Sequence, residues 1–137
     1  MGRPPSAAKK PPRNEIAIQT LFRSRLKMRA PQVKVVAILN AAKRGQYAMN
    51  QALREGMKPG FPDVMCLAPG PYGAPGKIAF IEFKDPRGPL TDKQAAWLDT
   101  LDAMGFPATV SRDPDHAMRF LQDAGFPFQF PMGGFGE

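Results

Sequence analysis

Cysteine and histidine are almost missing from this chain, with one of each in 137 residues. A lone cysteine excludes an internal disulfide, and with a single histidine it leaves no soft ligand set for structural zinc. Any bound metal is therefore expected to be a hard one held by carboxylate oxygens, with Mg²⁺ or Mn²⁺ the natural choices. The expected compartment is a reducing cell interior. Long apolar runs are absent too: none approaches the roughly 18 residues of a membrane span. The first residues also lack the apolar stretch of a secretion signal. Acidic residues are outnumbered, 12 against 19 basic ones, which gives a formal charge of +7 and a pI near 9.9. That excess favours nucleic acid or another anionic surface. A 43% hydrophobic content over this length suits one globular domain with a real core.

What is present centres on one run, Lys77-Ile78-Ala79-Phe80-Ile81-Glu82-Phe83-Lys84. It is apolar on both faces, as a central strand covered on each side would be. Side chains alternate along a strand, so Glu82 and Lys84 share a face with Ile78 and Phe80, while Ala79, Ile81 and Phe83 take the other. Two opposite charges at the end of such a strand are costly unless something uses them. A second apolar run, Pro62-Asp63-Val64-Met65-Cys66-Leu67, opens on a carboxylate. The loop between the two runs, 68–76, carries three prolines and three glycines, so the strands are expected to pair antiparallel at about 4.8 Å. At that spacing Asp63 and Glu82 can share one cation.

The remaining elements follow from periodicity. Residues 1–13 hold four prolines, four basic residues and no acid, and read as a disordered basic arm that either touches phosphates or only solubilises the chain. Asn14 is a reasonable N-cap for a helix over 15–28, with Ile18, Leu21, Phe22 and Leu26 as its apolar stripe and Glu15 on the buried side. There Glu15 either complements the helix dipole or serves as an accessory metal or water ligand. A first strand is expected over 33–39, then a polar loop with Lys43 and Arg44, and a short helix over 46–54. The lead-in 56–62, rich in glycine and proline, sets how Asp63 enters the sheet. After the turn at 85–89, a helix over 91–104 places Gln94, Trp97, Leu98, Leu101 and Met104 on one side. Thr91-x-x-Gln94 fits a capping box, so Gln94 either caps the helix or points into the site. A fourth strand over 106–110 and a helix from the Asp113-Pro114-Asp115 cap to about 124 complete the domain. His116 is expected at the surface and Cys66 in the core. The phenylalanine-rich end, 125–137, is too apolar for a free tail and is expected to pack on its own domain or on a second subunit.

These residues suit phosphodiester cleavage, which requires charge neutralisation on the phosphate, an activated water and in-line positioning. A divalent ion on Asp63, Glu82 and the Phe83 carbonyl would lower the pKa of a bound water. Lys84 would hold or deprotonate that water and offset charge in the transition state. A structural Glu82–Lys84 salt bridge is the plain alternative. Lys43, Arg44, Lys58 and Arg87 are candidate contacts for a DNA backbone, though exposed basic residues often do nothing specific.

The order helix, strand, strand, strand, helix, strand with Pro62-Asp63 and Glu82-x-Lys84 resembles the PD-(D/E)xK nuclease superfamily, and within it the VRR-NUC domain. The resemblance rests on Glu15 with Gln19, Asn40, Gly56-x-x-x-Gly60-x-Pro62-Asp63, Ile81-Glu82-Phe83-Lys84, Thr91-x-x-Gln94-x-x-Trp97 and Gly105. It spans about 14–124 and excludes the basic arm and the C-terminal extension. It implies an α/β restriction-endonuclease-like fold with a mixed four-stranded sheet flanked by helices and a further C-terminal helix. It further implies metal ligation by Asp63, Glu82 and the Phe83 carbonyl, catalysis by Lys84, and roles around the site for Glu15 (through a water) and Gln94. Small stand-alone relatives of phages and bacteria act as dimers on branched DNA such as four-way (Holliday) junctions. This chain is thus expected to be a homodimeric Mg²⁺- or Mn²⁺-dependent endonuclease in a bacterium or phage-infected host. A flap or nicking nuclease, or a basic DNA-binding module with an idle site, are the alternatives.

Overall fold

A computed structural model describes residues 13–39 and 45–133. Expectations for the arm, save Arg13, and for Asn40, Lys43 and Arg44 lie outside the described residues. The chain runs α1 (Arg13–Arg29), β1 (Lys34–Ala37), α2 (Gln46–Arg54), β2 (Val64–Ala68), β3 (Lys77–Phe83), α3 (Asp92–Ala103), β4 (Ala108–Ser111) and α4 (Pro114–Asp123). The strands form one sheet in the order β1-β2-β3-β4. The first three are antiparallel neighbours, and β4 joins β3 in parallel, so the sheet is mixed. Its parallel pair is connected through α3, as a crossover requires. The fold is the expected α/β one, with the apolar run 77–83 between two neighbours at the centre.

Alternation along β3 divides the two faces. Ala79, Ile81 and Phe83 face the main core, where α1 contributes Ile18, Phe22 and Leu26 and α4 contributes Ala117, Met118 and Leu121. Phe22 and Phe83 meet with ring centroids 5.2 Å apart. On the other face Phe80, Phe61 and Trp97 form a file of tilted and edge-on rings beneath α3, continued by Phe106. The C-terminal segment closes back on α1 and α4. Phe126 is buried, Phe128 and Met132 pack on the core, and Arg29 donates to the Phe130 and Pro131 carbonyls. Gln122 accepts from the Met132 backbone N–H.

Four details differ from expectation. Helix α1 begins at Arg13, so Asn14 sits inside it rather than capping it. Leu21 is 44% exposed, because the buried stripe narrows to every fourth residue, Ile18, Phe22 and Leu26. Met104 is 65% exposed at the C-cap, where the backbone leaves the helix. Asp113 is the N-cap of α4, but its side chain makes no capping bond, and its carbonyl instead accepts from the Ser111 hydroxyl.

Candidate active site

The lead-in to β2 determines where Asp63 stands. Gly60 has φ +85, and a Cβ there would lie 2.8 Å from the backbone carbon and Cβ of Lys93. The lead-in backbone therefore lies directly on the first turn of α3, a contact and a conformation that favour glycine. Pro62 is fully buried behind it, and the Asp63 carbonyl accepts from the Ile38 N–H at 2.7 Å. Asp63 thus enters the sheet fixed to β1 on one side and α3 on the other.

Register then brings the acidic groups together. Val64 pairs with Ile81, so Asp63 lies opposite Glu82 and Pro62 opposite Phe83. Proline has no N–H for the ladder. The Phe83 N–H turns to the Asp63 side chain instead, donating to Oδ2 at 3.1 Å, and Pro62 leaves the Phe83 carbonyl without its ladder donor. Glu15, from the first turn of α1, reaches the same spot. Oxygens of Glu15, Asp63 and Glu82 all lie within 4.8 Å of one another.

Glu82 is the strained member. It is only 3% exposed, and its Oε1 is buried without a hydrogen-bond partner. Burial first, then the Asp63 carboxylate and a hydrogen bond shared with it, push its pKa up to about 9; Glu15 adds to the rise and Lys84 opposes it. A buried carboxylate with one unpartnered oxygen, clustered with two more carboxylates, is costly unless a proton or a metal cation joins them. An all-oxygen donor set suits a hard divalent ion, so this triad can hold a metal.

Gln94 does both things its position allowed. Its Oε1 accepts from the Thr91 N–H at 3.0 Å while the Thr91 hydroxyl accepts from the Gln94 N–H, completing the capping box. Its Nε2 donates to Glu82 Oε2 at 3.2 Å. One side chain therefore ties the start of α3 to the acidic cluster. Lys84 follows β3 half-buried, with its N–H donating to the Ser111 carbonyl at 3.0 Å. Lys58 and Arg87 are both exposed, the first in the lead-in and the second in the turn after Lys84. Gln19 is half-buried one turn after Glu15. His116 is exposed as expected, with Nδ1 3.0 Å from the Ser111 hydroxyl, and Cys66 is buried, its thiol pushed up to about 12 by burial.

One residue escaped the sequence reading. Arg112 donates through Nη1 to the carbonyls of Asp85, at 2.7 Å, and Gly88. It holds the turn that joins Lys84 to α3. A basic residue ending a strand that runs parallel to β3 was the available signal, because such a residue must land beside the segment that follows β3.

The VRR-NUC domain model matches residues 13–113, and the chain belongs to that family, a family of nuclease-like domains. A solved structure described as a VRR_NUC domain protein is similar, with a TM-score of 0.57 and 21% identity over 80% of this chain and 86% of that one. This likeness shows the shared fold. No curated protein matches the sequence.

Proposed function

We propose that the chain is a metal-dependent, structure-selective DNA endonuclease that hydrolyses phosphodiester bonds in branched DNA such as four-way junctions, using Mg²⁺ or Mn²⁺. The observation that carries this reading is the cluster of Glu82, Asp63 and Glu15, in which Glu82 is buried with its Oε1 unpartnered. Asp63, Glu82 and the Phe83 carbonyl would hold the ion, with Glu15 contributing through a water. When bound, such an ion neutralises phosphate charge and acidifies a water. Lys84 then holds or deprotonates the attacking water and offsets the charge that grows on the phosphate. Gln94 orients Glu82 by its amide hydrogen bond. Lys43, Arg44, Lys58 and Arg87 would contact the backbone of the substrate.

Pairing of two copies is part of the proposal. β1 is an edge strand whose Val36 is 41% exposed, and α2 buries none of its residues, leaving Tyr47 and Leu53 exposed, with Tyr47 and Leu39 lining one cavity. A two-fold axis would place two sites on opposing strands of a junction. Work in a reducing cell interior, in a bacterium or a phage-infected host, fits the single buried cysteine.

The test is cleavage of labelled four-way junction, flap and plain duplex, with Mn²⁺ and with chelator. Paired cuts in the junction are expected, and Lys84→Ala is expected to lose about 10³-fold in rate while still binding. Binding without cleavage under any metal would reduce the chain to a DNA-binding module. Equal cutting of flap and junction would remove the junction preference.

A further inference from the structure

A cavity of about 300 Å³ is lined by Lys58, Pro59, Lys93, Ala96, Trp97 and Thr100. Its walls are the lead-in to Asp63 on one side and the first three turns of α3 on the other. Those walls are held together by the Gly60 backbone lying on Lys93, so the cavity is built into the same contact that positions Asp63. Trp97 is half-buried and braced edge-on by Phe61, with ring centroids 5.1 Å apart. It follows Gln94 by three residues, roughly one helical turn of about 5 Å. Gln94 in turn bonds Glu82. An apolar, aromatic cavity with two exposed lysines therefore opens about one turn of helix away from the residue that orients a candidate metal ligand.

Aromatic faces with flanking cations are how proteins grip unpaired nucleotides: bases stack on the ring and lysines meet the phosphates. A duplex keeps its bases paired and stacked inside, out of reach of the ring. A single base swung out of the helix can reach it. We propose that this cavity is a subsite for one displaced nucleotide next to the scissile bond, with its base on Trp97 and its phosphates at Lys58 and Lys93. This rests on the nuclease reading and sharpens it, since the enzyme would then select DNA that offers an unpaired nucleotide at the cut.

Trp97 is the only tryptophan in the chain, so its fluorescence reports on this cavity alone. Titrating the wild-type protein in chelator with a short oligothymidylate should give saturable quenching, while a plain duplex at equal phosphate concentration should not quench. The double variant Lys58→Ala, Lys93→Ala should keep the unliganded spectrum, weaken oligothymidylate binding about tenfold or more, and flatten its salt dependence. Trp97→Leu, checked for an unchanged circular dichroism spectrum, should weaken single-strand binding by a similar factor measured by anisotropy. Anisotropy showing that the oligonucleotide binds without any quenching would overturn the subsite, as would equal quenching by duplex. Thymidine monophosphate binding as tightly as the strand would overturn the assignment to a strand. Because no metal is needed, the two readings separate. Quenching without cleavage sinks the nuclease and leaves the subsite, while cleavage without quenching sinks the subsite alone.

Discussion

On the face of the sheet covered by α1 and α4, Phe22, Ile81, Phe83 and Leu121 are completely buried and Leu26 is 1% exposed. On the face under α3, Phe106 is 38% exposed, Trp97 is half-buried, and an acidic side chain, Glu82, is buried. The same strand supplies both surfaces: odd residues of β3 build a closed apolar core, and Phe80 and Glu82 build a half-open polar one. Closed packing maximises stability, and an incomplete face leaves room for substrate and retains groups that are unfavourable without a ligand. The contrast teaches that stability and candidate chemistry are divided by side-chain parity within one strand.

The sharpest way to break that division is to truncate an aromatic on each face. Phe22→Ala should cost about 3–5 kcal/mol, since it empties a fully enclosed position against Phe83. Phe106→Ala should cost about 1 kcal/mol or less, because the ring is already partly in water. Urea unfolding of the two variants measures both values. Equal costs would mean that the α3 face is as closed as the other.

The second comparison uses pH. Glu82 has a folded pKa of about 9, against an unfolded value near 4.5. Its proton is held by the folded state and lost by the unfolded one between those limits, so this contribution to stability is full below about 4.5 and disappears as pH rises to about 9. Metal-free protein should therefore lose up to about 1.4 kcal/mol per pH unit within that window. Unfolding in chelator at several pH values reads the slope, and Glu82→Gln should flatten it. Saturating Mn²⁺ should restore stability at the alkaline end, because a cation then occupies the place of the proton. A slope that persists in Glu82→Gln would assign the pH dependence to other groups.

Much of this layout was legible in the chain. The apolar run 77–83 could only be central, and Thr91-x-x-Gln94 could only cap or point inward; the structure makes it do both. Pro62-Asp63 and Glu82 announced two carboxylates at adjacent strand ends, close enough to share a cation, and parity put Lys84 on the face of Glu82. What was not legible depends on long-range placement. That Leu21 would face water follows from how α1 lies on the sheet, which its own periodicity does not specify. The rise in the Glu82 pKa comes first from burial and then from Asp63, with a smaller part from Glu15 on a distant helix, and the depth of burial depends on the whole fold. Arg112 carried no local motif, and its role exists only because β4 runs parallel to β3.

Arg112 gives the smallest and most selective test of the two faces. Its guanidinium spans two carbonyls of the turn between Lys84 and α3, one of which, Asp85, also accepts from the Gly88 N–H. Removing the donor leaves those carbonyls to water, which costs about 1–2 kcal/mol where they are partly exposed. Arg112→Ala should therefore lower global stability only modestly. Hydrogen exchange at the Lys84 and Gly88 amides should speed up, while amides of β2 and α1 stay protected. The tie between Gln94 and Glu82 is anchored at the far end of the same turn, so cleavage should fall in kcat more than in KM. Arg112→Lys should recover part of the loss, since an ammonium can still reach one of the two carbonyls. Loosening spread evenly over both faces would mean that this turn is no more than a connector, and that the α3 face is held by its aromatic file alone.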